Sequence, residues 1–147
     1  MATGFVHTYG PYALVAGGSY GLGAAFAEGI ARRGVNLVII ARNENQLTAT
    51  ADRLRATYGV DVIAVVADMA DFEDVRTQLS RLEVAIGLLV YDAAHAPIGR
   101  FEDVPEIQLA HAVSVNVRTP LLLAKLLSGP MIERGRGDII VTSSLAA

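Results

Sequence analysis

A run of glycines constrains this chain more than any other stretch. Ala16-Gly17-Gly18-Ser19-Tyr20-Gly21-Leu22-Gly23 follows an apolar run, Tyr12 to Ala16, that reads as a buried strand. It precedes Ala24-Ala25-Phe26-Ala27-Glu28-Gly29-Ile30-Ala31, a small-residue helical pattern. Glycines at a strand-to-helix junction open a βαβ unit. There the free N–H groups of the first helical turn and the positive end of the helix dipole both point at the turn, which favours an anion such as a pyrophosphate. Gly17 permits a tight turn, Gly21 lets phosphates approach the backbone, and Gly23 lets the helix pack close on the strand. The alternative is a glycine-rich turn that binds nothing.

The remainder alternates in the same way. Val35 to Ala41 is apolar almost throughout and reads as a second strand. Asn43, with Gln46 three residues on, predicts a helix start; Leu47, Ala51, Leu54 and Tyr58 then recur at helical spacing until Gly59 stops them. Val60 to Ala67 is a third buried strand, Asp71 caps a helix carrying Phe72, Val75, Leu79 and Leu82 on its inner face, and Ile86 to Tyr91 is a fourth strand. After a loop over Pro97 to Pro105, a long helical region is expected from about Glu106 to Glu133, broken near Pro120 and Gly129-Pro130. Asp138 to Ser143 is a fifth strand. Continuous apolar strands alternating with helices indicate a parallel sheet covered on both faces. The expectation is a single α/β domain, a Rossmann-type doubly wound parallel sheet of order 3-2-1-4-5, truncated after the fifth strand.

Composition narrows the function classes. With 147 residues the chain holds one domain with a real core, and 52% apolar against 18% charged residues excludes a disordered chain. A net charge of -3 gives no electrostatic case for nucleic acid, and no basic run points to an anionic membrane. The absence of cysteine excludes disulfides and thiolate metal sites, and fits a cytoplasmic location. Met1 to Pro11 lacks the basic start and apolar core of a signal peptide, and no apolar run is long enough to span a bilayer. His7, His95 and His111 are scattered and read as surface or loop residues without metal-ligand spacing; His95 alone lies beside the expected site.

The Gly-x-x-x-Gly-x-Gly spacing resembles the turn of the short-chain dehydrogenase/reductase family, with Ala16 where that family usually has threonine. Four further stations stand in the matching order: Arg42, Asp68, Asn116 and Ser144. The resemblance covers Tyr12 to Ala147 and implies an NAD(P)(H)-dependent oxidoreductase moving a hydride between cofactor and a small-molecule carbonyl or alcohol. It implies that Gly17, Ser19, Tyr20, Gly21, Leu22 and Gly23 cradle the cofactor and that Asp68 and Met69 lie near the adenine. Arg42 ends the second strand, about 20 residues past the turn, where an acid would bind the ribose hydroxyls and an arginine accommodates a 2′-phosphate. It is either a solvated surface arginine or a 2′-phosphate ligand; in the second case the cofactor is NADP(H) rather than NAD(H).

Tyr91-Asp92-Ala93-Ala94 occupies the place of the family's Asn-Asn-Ala-Gly segment, which lies along the cofactor. Asp92 there replaces an amide, removing a donor and adding a charge that disfavours a phosphate-bearing ligand unless it is paired. The resemblance makes Asn116 the holder of a backbone bend and a relay water, and Ser144 the contact to the reacting oxygen. It also calls for a tyrosine beyond that serine as general acid or base, then a lysine four residues on, sharing one helix face. No Tyr-x-x-x-Lys occurs in the chain. The expectation is an N-terminal fragment of such an enzyme, or else a catalytically inactive nucleotide-binding or dimerising protein. Leu121 to Leu127 is core or, by the same resemblance, part of a homo-oligomer interface.

Overall fold

The computed structural model describes residues 2–144; the end of the expected resemblance, residues 145–147, lies outside them. Five parallel strands form one sheet, β1 (Tyr12–Ala16), β2 (Asn36–Ala41), β3 (Val62–Val66), β4 (Ile86–Tyr91) and β5 (Asp138–Val141). Their order is β3-β2-β1-β4-β5, as the alternation predicts. The sheet is covered on both faces because its strands are apolar on both. Ala13 and Val15 of β1 pack with Leu37 and Ile39 of β2 toward α2 (Gly21–Ala31) and α3 (Glu44–Tyr58). Leu14 and Ala16 pack with Val38 and Ile40 toward α4 (Phe72–Ser80) and α6 (Thr119–Glu133). Strands β1 to β4 thus bury alternate side chains in two cores, the pattern of a sheet sealed between helix layers, whereas all four residues of β5 are exposed.

The caps read from sequence form. The Asn43 side chain accepts from the Gln46 N–H at 3.0 Å to start α3, Gly59 ends it, and Asp71 accepts from the Asp74 N–H at 3.1 Å to start α4. One element was not anticipated, and one expectation fails. The first nine residues, read only for a missing signal peptide, contain α1 (Ala2–Tyr9), whose Phe5 and Tyr9 rings meet edge to face at 4.6 Å. And the long helical region is not broken. It runs as α5 (Glu106–Val113), one π-wound turn (Ser114–Arg118) and α6. Pro120 has no N–H to give the Asn116 carbonyl, and the wider turn absorbs that loss: the Thr119 N–H reaches back five residues to the Ser114 carbonyl. Pro130 sits near the exposed end of α6, where a missing hydrogen bond costs little, and the helix continues to Glu133. No helix among the described residues is long and apolar enough to cross a membrane.

Candidate functional site

The C-terminal ends of β1 to β4 and the turn into α2 enclose a cleft of about 500 Å³. Gly17, Ser19, Tyr20, Gly21, Leu22, Arg42, Asp68, Met69, Asp92, Ala93 and Ala94 line it. Parallel strands put all their C-terminal ends on one side, and the order reversal at β1 and β4 opens the crevice there.

Backbone geometry explains the three glycines. Gly17 and Gly21 have φ of +86° and +58°, where a side chain is strained. A Cβ at Gly17 would stand 2.8 Å from the Ala93 nitrogen, and one at Gly23 only 2.1 Å from the Gly17 carbonyl oxygen. Gly23 therefore does not line the cleft; it lets α2 press against the back of the turn. Gly21 meets nothing within 4 Å and faces open space. Tyr20 holds the N-cap position of α2 but makes no side-chain capping bond, unlike Asn43 and Asp71. The leading N–H groups of α2 are thus left without a cap acceptor at the cleft. The Thr50 hydroxyl donates to the Ser19 carbonyl at 3.1 Å and ties the turn to α3.

Arg42 is exposed at the cleft wall and forms no ion pair among the described residues; its neighbour Asn43 is committed to capping α3. Asp68 turns the backbone, accepting from the Ala70 N–H at 2.8 Å, and lines the cleft as well. The buried Thr119 hydroxyl donates to the Met69 carbonyl at 2.6 Å and fixes this strand end against α6. Asp92 is paired, though not with a cation: the Thr142 hydroxyl donates to its Oδ1 at 2.8 Å, joining the ends of β4 and β5.

Asn116 and Ser144 do not line the cleft. Asn116 lies in the π-wound turn and clamps the backbone of His95, its Oδ1 accepting from the His95 N–H at 2.9 Å and its Nδ2 donating to the His95 carbonyl at 2.7 Å. Ser144 is exposed just past β5. Beneath the cleft the buried Tyr91 hydroxyl donates to the Val115 carbonyl at 2.5 Å. Burial, with the Asp68 carboxylate adding to it, pushes Tyr91 far above the usual tyrosine range, so it keeps its proton.

Two of the histidines are not scattered. The rings of His95 and His111 meet edge to face at 4.5 Å, and both line the cleft. His95 Nε2 lies 2.9 Å from Gln108 Oε1, and His111 Nε2 lies 3.8 Å from Asp68 Oδ1. The sequence carries no local signal for this contact, because it joins the loop after β4 to α5. His7 is far off, on α1 beside Arg136. Among the described residues no group of three His, Cys, Asp or Glu can hold a metal ion.

Comparison with known proteins agrees with this geometry. A profile of the short chain dehydrogenase family matches residues 11–147. The chain is 32% identical over 143 residues to the inactive hydroxysteroid dehydrogenase-like protein 1 of Mus musculus, covering 95% of this chain and 43% of that protein. It is 33% identical over 141 residues to a very-long-chain 3-oxoacyl-CoA reductase of Emericella nidulans, covering 92% and 41%. The structure of a short-chain dehydrogenase from Sphingobium yanoikuyae in complex with NADPH superposes with a TM-score of 0.84 at 34% identity, over 92% of this chain and 54% of that one. The chain thus spans about half the length of the proteins it matches.

Proposed function

The chain belongs to the short-chain dehydrogenase family, and on that footing we propose that it is the nucleotide-binding part of an oxidoreductase that uses NADP(H) in preference to NAD(H). The observation that carries the preference is Arg42, an exposed guanidinium at the end of β2 with no carboxylate partner among the described residues. The cleft residues fit such a ligand: the space open at Gly21 and the uncapped N–H groups of α2 suit a pyrophosphate, and Arg42 suits a 2′-phosphate. Asp68 and Met69 would border the adenine, and Asp92, Ala93 and Ala94 would run along the cofactor.

Bound there, the nicotinamide would supply the hydride exchanged with a small carbonyl or alcohol substrate. In this reading the turn holds the phosphates, Asn116 fixes the segment at His95, and Ser144 hydrogen-bonds the reacting oxygen. Proton delivery to that oxygen is assigned to no residue of this chain, since no Tyr-x-x-x-Lys occurs in it. Titration with NADPH and NADH, followed by cofactor fluorescence or calorimetry, tests the assignment. Arg42→Ala is expected to weaken NADPH about tenfold or more, the value of a charged hydrogen bond, and to leave NADH unchanged. Equal loss for both cofactors would remove Arg42 from the phosphate site.

The reading extends to a homo-oligomer. Val113, Val117 and Leu121 follow one another at four-residue spacing along the long helix and are 59%, 59% and 68% exposed, an apolar stripe beside the buried Leu123 and Leu127. A second reading, a nucleotide-binding protein without turnover, is favoured by one observation, the Asp92 carboxylate in place of an amide. NADPH bound by the unaltered chain with an affinity unchanged in Asp92→Asn would set that observation aside.

A further inference from the structure

His111 is the one cleft side chain whose polar contacts are incomplete in a way that points at a neighbour. Its Nε2 is buried and makes no hydrogen bond, yet it lies 3.8 Å from Asp68 Oδ1, too long for a hydrogen bond and within reach of an ion pair. The His95 and His111 rings meet edge to face, and Asn116 holds the His95 backbone in place. His95 in turn is engaged with Gln108. Asp68 is fixed through the Ala70 N–H.

The charged groups around this point have a clear balance. Asp68 from the end of β3 and Asp92 from the end of β4 put two carboxylates on the cleft wall, and Arg42 from the end of β2 puts one cation there. Tyr91, beneath, is neutral with its hydroxyl on the Val115 carbonyl. Gln108, from the same helix as His111, is uncharged. A dinucleotide phosphate entering this cleft meets a net negative wall while both histidines are neutral. A proton on His111 would close the gap to Asp68, satisfy the buried Nε2, and cancel one of the two carboxylates. Two protons, one on each ring of a pair in contact, would repel.

We propose that His111 is a positioning residue of the dinucleotide cleft: when protonated it pairs with Asp68, fixes that carboxylate in place at the cleft wall, offsets its negative charge, and tightens binding of the anionic cofactor. The proposal rests on the cofactor reading above.

The test is NADPH affinity of the 147-residue chain at pH 8 and pH 5.5, in the unaltered chain and in His111→Gln, Asp68→Asn and His7→Gln. The 2′-phosphate itself titrates in this range, so the comparison between variants carries the result. The unaltered chain is expected to gain about threefold to fivefold in affinity at the lower pH beyond the gain seen in His111→Gln, the size of one partly exposed ion pair. His7→Gln, on α1 and remote from the cleft, is expected to keep the full gain, and Asp68→Asn to lose it. Circular dichroism of each variant confirms that it is folded. An equal pH response in His111→Gln overturns the role of His111. A response that survives in Asp68→Asn but not in His111→Gln overturns the pairing and leaves His111 acting on the ligand directly. NADPH binding absent at both pH values in the folded, unaltered chain overturns the cofactor reading and this proposal with it.

Discussion

Gly21 and Gly23 stand two residues apart and should answer differently to one added methyl. Alanine at Gly21 meets nothing within 4 Å but must adopt φ +58°, a strain of about 1 kcal/mol. Alanine at Gly23 drives a Cβ into the Gly17 carbonyl oxygen, which is main chain and cannot yield cheaply, and should cost about 2–3 kcal/mol. Urea denaturation of the two variants measures the difference; equal losses would mean that α2 does not press on the turn. Tyr91 gives a second test. Its folded-state pKa is raised, chiefly by burial, so its contribution is complete below the unfolded value of about 10 and is lost as pH rises beyond it. The unaltered chain should therefore weaken in alkali. Tyr91→Phe should lose about 1–2 kcal/mol at neutral pH, because the Val115 carbonyl is orphaned, and show less further loss between about pH 9 and pH 11. At this scale the sequence was informative where chemistry sits at a strand end. Gly17, Arg42, Asp68 and Asp92 all fall on the cleft as their positions implied. The contact of His111 with His95 was not legible, because it depends on how α5 lies across the ends of β3 and β4.

Among the elements, the π-wound turn does the least expected work. Proline at position 120 announced an interruption, and hydrophobic spacing could not say whether the chain would break or rewind. It rewinds, and the wider turn carries Asn116 toward the backbone of His95. Asn116→Ala removes both bonds of that clamp. Amide hydrogen exchange at His95 should accelerate about tenfold, with a stability loss of about 1–2 kcal/mol in urea. Unchanged protection at His95 would show that the loop is held by other contacts. The strands and the capped helices α3 and α4 were legible because their signals are local: apolar runs, Asn43, Asp71 and Gly59. Helix α1 was not, since eight residues offer barely two turns of pattern. What holds it is tertiary: Arg33 lies 5.4 Å over the Phe5 ring, and His7 meets Arg136.

For the molecule as a whole, the two faces of the sheet are closed over β1 to β4, while β5, at one edge of the described sheet, leaves Ile139, Ile140 and Val141 exposed by 37%, 39% and 52%. An apolar strand edge invites pairing with another strand. The 147-residue chain is expected to self-associate at high concentration, seen by sedimentation equilibrium. Ile140→Lys should shift it toward monomer if the edge is responsible, and Leu121→Glu if the helix stripe is; a chain that stays monomeric without either change would set both surfaces aside. The uncapped start of α2 has a consequence of another kind. A helix whose first N–H groups lack a capping acceptor completes its hydrogen bonding only when something else provides one, so an anion bound there acts as part of the fold. Ligand and stability are then linked quantities: an anion at a hundred times its dissociation constant adds about 2.7 kcal/mol to the folded state. Inorganic pyrophosphate, with no nicotinamide and no adenine, should on its own raise the melting temperature. The melting curve of this chain would then report the phosphate composition of its solution.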